Sequence, residues 1–463
     1  SIKSSLQKIQ PAKADLFEIN WQYVAVCLSF LKDLVVISGG PGTGKTFTVL
    51  NIIASHAMAH PGQDFKIALA APTGKAARRL MDSIEDGKSM LPEEFATAAE
   101  IPDSALTVHK LLGSDFRGSR FKYNEENKLP YDMVVIDEAS MLDITMWVRL
   151  IRALKPETKL VVLGDKDQLA SVETGSILGD ICGGDNSFSQ EISSAVNSVT
   201  GVHIPVIDSP TAINDSVVFL TKSYRFGTES GIGQFAHAVN NSDADTAIKL
   251  LKDPEYTDLN WIDPASGSVN DIIRKFAVDH YTYYSRQEED KRLDASNEKK
   301  ILCALRKGRS GVERINNEAE RLIRRSKGML DLSEWYEGRI VMATRNDAIL
   351  KVRNGEIGIC GGTTDPVIKF EGENASEISA TRLKEYEPAY AITIHKSQGS
   401  EFDEVAIILP STSNSILSRE ILYTAVTRAR QNTLIIANEE ILMQTIIRSV
   451  SRNSGMRHKI WGT

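Results

Sequence analysis

Residues Gly39 to Thr46 form a complete phosphate-loop pattern, G-x-x-x-x-G-K-[ST]. The pattern follows an apolar run, Leu34 to Ile37, and precedes a stretch with helical periodicity. Glycines let successive backbone N–H groups face the phosphates of a nucleotide, a lysine adds positive charge, and a threonine hydroxyl ligates Mg²⁺. The pattern therefore predicts a nucleoside triphosphate site. Its predicted binding residues are Gly39, Gly40, Pro41, Gly42, Thr43, Gly44, Lys45 and Thr46.

A pair of acids follows another apolar run. Met133 to Ile136 has the character of a buried strand, and Asp137 and Glu138 come directly after it. A carboxylate at the carboxyl end of a parallel strand faces the same crevice as a phosphate loop. We therefore expect Asp137 to hold Mg²⁺ and Glu138 to orient or deprotonate the attacking water. The alternative is a solvated strand end, which the upstream phosphate loop disfavours.

Three further polar residues are candidates for contact with the γ-phosphate. Gln168 follows the apolar run Leu160 to Leu163, which we expect to lie beside the strand that carries Asp137. Arg225 and Arg428 are candidates to neutralise charge that develops on the transferred phosphoryl group. Taken alone, each arginine also fits a surface or salt-bridge position.

Short apolar runs alternate with amphipathic stretches along most of the chain. In the first part the runs are Leu34 to Ile37, Ile67 to Ala70, Met133 to Ile136 and Leu160 to Leu163. In the second part they are Val217 to Leu220, Ile301 to Leu305, Ala391 to Ile394, Val405 to Leu409 and Leu434 to Ile436. This alternation is typical of α/β domains with parallel sheets flanked by helices. We therefore expect two similar lobes with a single nucleotide site.

Two segments interrupt the alternation. Residues 183–215 are rich in Ser, Asn and Gly, which predicts a flexible insertion or linker. Residues 338–387 contain short β-like runs separated by turn signals, the pattern of a small SH3-like antiparallel barrel. We expect a helical lead-in over 1–30, a first lobe over 31–182, and a second lobe over 216–463 that carries the barrel.

Composition restricts the class of protein. The 463 residues are 42% hydrophobic, which is ample for packed cores, and the length suggests about three domains. No apolar run approaches the roughly 18 residues that span a bilayer, and no secretory leader is apparent. The four cysteines are far apart and contain no C-x-x-C pair, which argues against a disulfide framework or a zinc site. We expect a cytoplasmic protein with no membrane partner.

The net charge of −7 excludes a uniformly basic nucleic-acid binder. Any basic patch must therefore be local. Between Lys299 and Lys327, ten basic residues and three acids give a local excess of +7. Arg314, Arg321 and Arg325 have helical spacing within this stretch. The stretch fits a basic stripe that binds nucleic acid and equally a solvated helix face.

The ordered motifs together resemble those of superfamily 1 DNA helicases. Beyond the segments above, the matching motifs are Ala70 to Ala77, Lys222 to Phe226, Thr393 to Phe402 and Tyr423 to Arg430. A finer signature resembles the RecD family, the alpha subunits of exodeoxyribonuclease V. That signature is Asn20 to Gln22, Thr107 to Gly113, Asp167 to Val172 and Trp335 to Arg339. The resemblance implies two RecA-like P-loop NTPase lobes with ATP and Mg²⁺ as cofactors.

The resemblance also implies roles for individual residues. Gln22 would read the adenine and Glu401 would touch the ribose. The implied catalytic residues are Lys45, Asp137, Glu138, Gln168, Arg225 and Arg428. Residues that match the single-strand DNA track are Thr73, His109, His395 and Ser397. For the two histidines a buried core position is the alternative, and for Trp335 and Tyr336 base stacking and packing are both open.

By resemblance, the activity is ATP-dependent 5′ to 3′ unwinding and translocation on single-stranded and duplex-end DNA. Such subunits work with RecB and RecC in double-strand break repair and recombination. The phosphate loop would lie on one lobe, with Arg225 and Arg428 on the other. Members of the family carry an N-terminal domain of about a hundred residues, whereas 38 residues precede Gly39 here, so we expect a truncated N-terminal region.

No cluster of acids and lysine suggests a nuclease. Two other functions remain open on the sequence alone. One is a superfamily 1 helicase that unwinds DNA without partners. The other is a nonmotor switch in which the bound nucleotide controls partner binding.

Overall fold

The structure is a computed structural model in which the chain folds into two compact units. The first unit comprises Ser1–Arg225 and Ser451–Thr463, and the second comprises Phe226–Val450. The structure describes residues 19–60, 64–91, 101–115, 120–171, 175–264, 269–329, 333–347, 349–362, 364–371, 377–450 and 455–462. Most of the predicted lead-in, residues 1–18, and Val172 of the signature lie outside the described residues.

A six-stranded parallel sheet forms the centre of the first unit. Its strands are β1 (Leu34–Gly39), β2 (Ile67–Ala71), β3 (Leu106–Thr107), β4 (Met133–Ile136), β5 (Lys159–Gly164) and β6 (Val217–Leu220). They pair in the order β3-β2-β4-β5-β1-β6, and every pairing is parallel. The predicted neighbour relation between β4 and β5 is confirmed. The carboxyl ends of β1, β4 and β5 therefore meet at one edge, as the predicted nucleotide site requires.

Helices cover both faces of this sheet. They are α1 (Trp21–Leu31), α2 (Lys45–Ala59), α3 (Gly74–Lys88), α4 (Val108–Leu111), α5 (Ile144–Ala153), α6 (Ile177–Ile181) and α7 (Gln190–Thr200). Val35 and Ile37 of β1 belong to one buried core, and Val36 between them belongs to another. Alternate strand residues point to opposite faces, so this division confirms the predicted parallel sheet flanked by helices.

Residues 183–215 are not a flexible linker, and the strand Val217–Leu220 was assigned to the wrong lobe. Strand β6 pairs with β1, and α7 packs Ile192 and Val196 into the first unit's core. Polar residues in this segment, which suggested a linker, instead cap and anchor a helix. Ser189 caps α7 and donates through its hydroxyl to Asp215 at 2.9 Å. Since Ser and Asn favour both caps and loops, composition alone did not separate the two.

The second unit contains a five-stranded parallel sheet. Its strands are β7 (Leu259–Ile262), β8 (Lys299–Cys303), β14 (Ala391–Thr393), β15 (Phe402–Ile408) and β16 (Ala429–Ile436). They pair in the order β14-β8-β15-β16-β7, with all pairings parallel. The predictions for β8, β14, β15 and β16 are confirmed. Strand β7 was not predicted, because the exposed Asn260 interrupts its apolar pattern.

Helices of the second unit surround this sheet and carry a short π-helical turn at Arg274–Asp279. Before the insertion they are α8 (Gly231–Asn240), α9 (Ala244–Lys252), α10 (Val269–Ile273), α11 (His280–Tyr284), α12 (Arg292–Ser296) and α13 (Val312–Ser326). After it they are α14 (Arg419–Val426) and α15 (Glu439–Ile447). The helix α13 carries the later part of the basic stretch 299–327, which begins on β8.

An antiparallel sheet is inserted between β8 and β14. Its strands are β9 (Ile340–Ala343), β10 (Ile357–Gly361), β11 (Val367–Phe370), β12 (Glu377–Ser379) and β13 (Tyr386–Pro388). They pair in the order β12-β11-β10-β9-β13 and enclose their own core, which includes Val341, Ile368 and Phe370. A small barrel was predicted at residues 338–387, and this antiparallel sheet, whose strands span 340–388, is compatible with such an insertion.

The last helix, α16 (Met456–Trp461), belongs to the first unit. Met456 and Ile460 pack against a core of that unit, and the Trp461 indole N–H donates to the Asp180 carbonyl at 2.8 Å. The sequence placed residues 216–463 in the second lobe. In the structure, the second unit instead ends at Val450.

The four cysteines, Cys27, Cys182, Cys303 and Cys360, are buried free thiols, as expected. Within the described ranges, no group of three or more His, Cys, Asp or Glu side chains is arranged to hold a metal ion by itself. Among the helices of those ranges, none combines the length and the apolar character that a bilayer crossing requires.

His56 lies in a column of aromatic rings in the first unit. Its ring is 4.0 Å from the ring of Phe30 and 5.7 Å from that of Phe65, and its Nε2 is 3.0 Å from the Ser29 hydroxyl. Burial, assisted by the charge of Lys159, lowers the pKa of His56 from 6.5 to about 3. The folded chain therefore holds this imidazole neutral.

This burial predicts acid sensitivity. Between pH 6.5 and 3 the unfolded chain binds a proton at His56 and the folded chain does not. The unfolding free energy is therefore highest above pH 6.5 and decreases as the pH is lowered below that value. For His56→Phe we expect the loss of unfolding free energy between pH 7 and pH 5 to shrink by about 2 kcal/mol. Urea unfolding at both pH values measures it. The exposed His203 serves as the control, since His203→Gln should match wild type. Unchanged acid sensitivity in His56→Phe would contradict the prediction.

Candidate active site

The phosphate loop joins β1 to α2. Gly42 and Gly44 have positive φ angles of 76° and 79°, a region that favours glycine. The Lys45 ammonium lies inside the loop, where it donates to the carbonyls of Gly39 at 2.6 Å and Gly40 at 3.0 Å. Burial lowers the pKa of Lys45, and nearby acids, Asp165 first among them, oppose the shift. The lysine is thus held where a nucleotide phosphate would replace its carbonyl partners.

Asp137 and Glu138 follow β4 at the same edge of the sheet. The Glu138 backbone N–H donates to the Asp137 carboxylate at 2.8 Å, and Glu138 itself has a positive φ of 50°. Such a conformation is uncommon for a residue with a side chain and is found preferentially at functional sites. Burial, together with the charge of Glu138, raises the pKa of Asp137 to about 6, and Lys45 opposes this.

These groups fit a magnesium ion. A hard cation with oxygen ligands would compensate the buried Asp137 carboxylate, and Mg²⁺ commonly binds through one or two protein oxygens with water and phosphate completing its shell. The Thr46 hydroxyl, in the first turn of α2, is the second oxygen that the sequence pattern supplies.

Gln168 follows β5, the neighbour of β4. Its side-chain amide donates to the Asp165 carboxylate at 3.0 Å, and both residues are buried. This hydrogen bond leaves the amide oxygen of Gln168 in a defined orientation. The structure therefore brings Gln168 to the same edge of the sheet as Lys45 and Asp137.

The segment after β6 packs directly on the phosphate loop. The Tyr224 backbone N–H donates to the Gly42 carbonyl at 2.8 Å, and the Ser223 hydroxyl donates to the Pro41 carbonyl at 3.3 Å. A Cβ built on Gly42 would lie 2.3 Å from the Cβ of Arg225. The expectation that Arg225 approaches from the other lobe is wrong, because Arg225 belongs to the first unit and touches the loop from within it.

Gln22 and Tyr224 flank the amino end of α2. The Gln22 amide donates to the Thr43 carbonyl at 3.0 Å, and a Cβ on Gly44 would lie 2.2 Å from Gln22 Nε2 and 3.9 Å from Tyr224 Cδ2. Tyr224 is 65% exposed although it is a large ring. Sequence reasoning singled out Arg225 and missed Tyr224. Its position directly before Arg225 was a signal, but only the fold shows that the ring lies beside Gln22.

Arg428 and Glu401 belong to the second unit. Arg428 is 2% exposed and donates to the backbone carbonyls of Thr424 at 3.1 Å and Ser400 at 3.2 Å. Glu401 accepts from Arg430 at 3.2 Å. Arg428 therefore also stabilises the second unit. An alanine at this position would cost stability as well as any contact with a nucleotide.

The four predicted DNA contacts differ in accessibility. Thr73 accepts the Ala76 N–H at 3.2 Å as the cap of α3, His109 is exposed, and His395 is half-buried. His109 is thus not a buried core histidine. The Ser397 hydroxyl is fully buried and donates to the Ile394 carbonyl at 2.7 Å. Ser397 is therefore the least accessible of the four.

The basic stretch begins on β8, where Lys300 is buried, and its later part lies on α13. Arg314, Arg321 and Arg325 are all exposed there. Arg321 pairs with Glu318 at 2.6 Å, which reduces the free charge of the stripe. For Tyr336 the packing interpretation is the one the structure supports, since its ring is buried and its hydroxyl lies 2.8 Å from that of Tyr390.

The contact at Gly42 yields a prediction with a matched control. In Gly42→Ala the new Cβ would overlap Arg225, so the loop must shift, and we expect ATP affinity to fall at least about tenfold, or 1.4 kcal/mol. Gly201 has a similar φ of 74° but nothing within 4 Å of its Cβ position. Gly201→Ala carries the same backbone strain and should bind ATP normally. Titration with a fluorescent ATP analogue tests both, and equal affinities would contradict the prediction.

The chain is similar to known protein families and to solved structures. A profile described as an AAA domain matches residues 22–174, and one described as a UvrD-like helicase C-terminal domain matches residues 388–436. A structure of Pif1 helicases at forked double-stranded DNA has a TM-score of 0.48 and 20% identity, covering 94% of this chain and 95% of that one.

Two curated relatives extend the comparison. The ATP-dependent RecD2 DNA helicase of Deinococcus radiodurans is 28% identical over 86% of this chain and 46% of its own length. The RecD subunit of the RecBCD enzyme of Haemophilus influenzae is 35% identical over 98% of this chain and 74% of its own length. At this identity and coverage, and with the phosphate loop and its two acids in place, the chain belongs to the RecD family of superfamily 1 DNA helicases.

Proposed function

We propose that the chain is an ATP-dependent 5′ to 3′ DNA helicase and translocase, the RecD-type subunit of a RecBCD exodeoxyribonuclease V. The observation that carries the proposal is that Lys45, Asp137, Glu138 and Gln168 lie at one edge of the sheet. In addition, 98% of this chain aligns with a RecD subunit. The proposed process is double-strand break repair and homologous recombination.

The residues of the nucleotide site have separate roles in ATP hydrolysis. Lys45 and the loop N–H groups bind the phosphates, while Thr46 and Asp137 would hold Mg²⁺. The bound ion would neutralise charge on the phosphate oxygens. Glu138 orients and deprotonates the attacking water, and Gln168 and Arg225 contact the γ-phosphate.

Other residues select the nucleotide and the DNA. Gln22 reads the adenine, and the exposed Tyr224 ring beside it covers the base. From the second unit, Arg428 senses the γ-phosphate and Glu401 touches the ribose. Thr73, His109, His395 and Ser397 form the proposed single-strand track, with Ser397 acting through its backbone because its hydroxyl is engaged.

We assign the two units as the two RecA-like motor lobes and residues 338–387 as an insertion carried by the second. The proposed partners are RecB and RecC, and the substrates are single-stranded and duplex-end DNA. Such a substrate implies a cytoplasmic location.

The test uses two matched duplexes, one with a 5′ single-stranded tail and one with a 3′ tail, with and without ATP at low salt. The proposal predicts that this chain alone unwinds the 5′-tailed duplex only. If it needs its partners, unwinding of the 5′-tailed duplex should appear after addition of RecB and RecC and should be lost when Lys45→Ala replaces the wild-type chain. Unwinding of the 3′-tailed duplex by the chain alone would contradict the polarity. ATP hydrolysis that neither DNA nor partners stimulate would contradict the motor function.

A second candidate function is unwinding without partners. Similarity to the RecD2 helicase of Deinococcus radiodurans favours it. The same experiment separates the two candidates. A chain that unwinds the 5′-tailed duplex at the same rate with and without RecB and RecC is an autonomous helicase.

A further inference from the structure

The sequence signature Trp335 to Arg339 has no place in the nucleotide site. In the structure it forms the entry to the inserted sheet, directly before β9. The exit of the insertion, residues 386–391, lies beside it, because β13 pairs with β9. We call residues 335–340 and 386–391 the insertion base.

Arg339 is the charged centre of the insertion base. Its guanidinium is 6% exposed and donates to Glu320 of α13 at 2.6 Å. The same guanidinium stacks over the Trp335 ring at 5.0 Å and the Tyr386 ring at 5.6 Å. One planar group therefore contacts the entry strand, the exit strand and α13 at once. A lysine ammonium lacks this flat fork and cannot make the same set of contacts.

Hydrogen bonds from helices fix the rest of the insertion base. The hydroxyls of Tyr281 and Tyr284 on α11 donate to the carbonyls of Glu337 at 2.7 Å and Gly338 at 2.8 Å. On α13, Asn316 exchanges hydrogen bonds with the backbone of Ala391, at 2.7 Å and 3.0 Å, and donates to the Pro388 carbonyl. Both ends of the insertion are thus tied to the helices of the second unit.

A buried ion pair is a weak source of stability. Its desolvation cost offsets much of the attraction between the charges, and apolar residues of similar volume often replace such pairs without loss of stability. What the Arg339–Glu320 pair adds is direction, since the Nε–H hydrogen bond at 2.6 Å and the two ring contacts together hold the planar group in one orientation. The pair therefore points to a need for one fixed orientation of the inserted sheet relative to α13.

We propose that Arg339 is a positioning residue that holds the inserted sheet in one orientation on the second unit, so that movement of this unit during ATP hydrolysis is transmitted to the DNA duplex as strand separation. The inference rests on the proposed helicase function and deepens it. Arg339 does not touch the nucleotide site residues, so its role is in coupling and not in hydrolysis.

Two variants test the proposal. Arg339→Lys keeps the charge and loses the planar stack. The double variant Arg339→Met with Glu320→Leu removes both charges and retains apolar volume, so folding is preserved. We expect DNA-stimulated ATP hydrolysis within about twofold of wild type and unwinding of the 5′-tailed duplex reduced at least about tenfold in both, which corresponds to about 1.4 kcal/mol. Lys291→Met is the control, because Lys291 lies on the surface of the second unit and forms an exposed ion pair with Glu288 at 2.6 Å. It should change neither rate.

Hydrogen exchange supplies a readout that does not depend on helicase activity. The amides of Gly338 and Ala391, which are hydrogen-bonded within the insertion base, should exchange at least about tenfold faster in both variants than in wild type, while those of β15 stay unchanged. Unchanged unwinding and exchange would overturn the proposal. A parallel fall in hydrolysis, unwinding and melting temperature would also overturn it, because Arg339 would then be a structural residue only. If wild type fails to unwind DNA, the helicase proposal fails, and the exchange rates still decide whether Arg339 positions the insertion.

Discussion

Replacing Lys45 with alanine is expected to lower kcat/KM for ATP hydrolysis about 100- to 1,000-fold. The Lys45 ammonium is the positive charge that the structure holds inside the phosphate loop, 2.6 Å from the Gly39 carbonyl. Burial destabilises the charged form of Lys45, so a phosphate anion bound beside the ammonium should stabilise that charge strongly. Its attraction grows as charge develops on the transferred phosphoryl group, so the loss appears in turnover as well as in ATP affinity.

The matched control for this variant is Lys66→Ala. Lys66 lies in the same unit, is exposed, and pairs only loosely with the exposed Asp64 at 3.1 Å. Steady-state hydrolysis with single-stranded DNA present, together with melting temperature, measures both variants. Lys66→Ala should match wild type in both respects. Retained turnover in a folded Lys45→Ala protein would show that the phosphate loop is not the site of hydrolysis.

Local sequence patterns predicted those elements whose apolar runs are continuous. Strands β1, β2, β4 and β5 are near-uninterrupted aliphatic runs, as expected for strands buried on both faces. The helix α2 could be placed because the phosphate-loop pattern fixes its start at Lys45. Strand β7 could not be predicted in this way, because Asn260 interrupts its apolar run and the strand lies at the edge of its sheet.

Assignment of elements to units required contacts between distant segments. The run Val217 to Leu220 reads as a strand in any sheet, and nothing in its four residues indicates that its partner is β1. The same holds for α7, whose core residues Ile192 and Val196 have helical spacing but do not reveal which core they enter. Placing the unit boundary at Arg225 therefore depends on tertiary structure.

The active-site residues also divide into those that local motifs identify and those that only tertiary contacts identify. Motif spacing was sufficient to select Lys45, Asp137 and Glu138, because phosphate chemistry requires those residue types at strand ends. It also selected Arg225 but assigned that residue to the wrong lobe, and it missed Tyr224. Their contact with Gly42 and Gly44 is made by a segment that is remote in sequence and depends on β6 lying beside β1.

Glu138→Gln is expected to reduce turnover about 100- to 10,000-fold while ATP binding stays close to that of wild type. Glutamine has nearly the same shape as glutamate but cannot accept the proton of the attacking water. The Glu138 N–H donates to Asp137 through the backbone, so this hydrogen bond survives the substitution. Removal of the Glu138 charge also removes one of the two causes that raise the pKa of Asp137, so the carboxylate proposed to hold Mg²⁺ ionises more readily.

The two active-site variants should therefore separate binding from chemistry. Lys45→Ala should weaken both ATP binding and hydrolysis. Glu138→Gln should bind ATP normally and hydrolyse the bound ATP very slowly. Titration with a fluorescent ATP analogue and single-turnover hydrolysis distinguish these cases, with the exposed Glu157→Gln as control. Turnover in Glu138→Gln within a fewfold of wild type would remove Glu138 from the role of base. Asp137 would be a poor replacement, because a carboxylate that holds Mg²⁺ would be less basic than a free one.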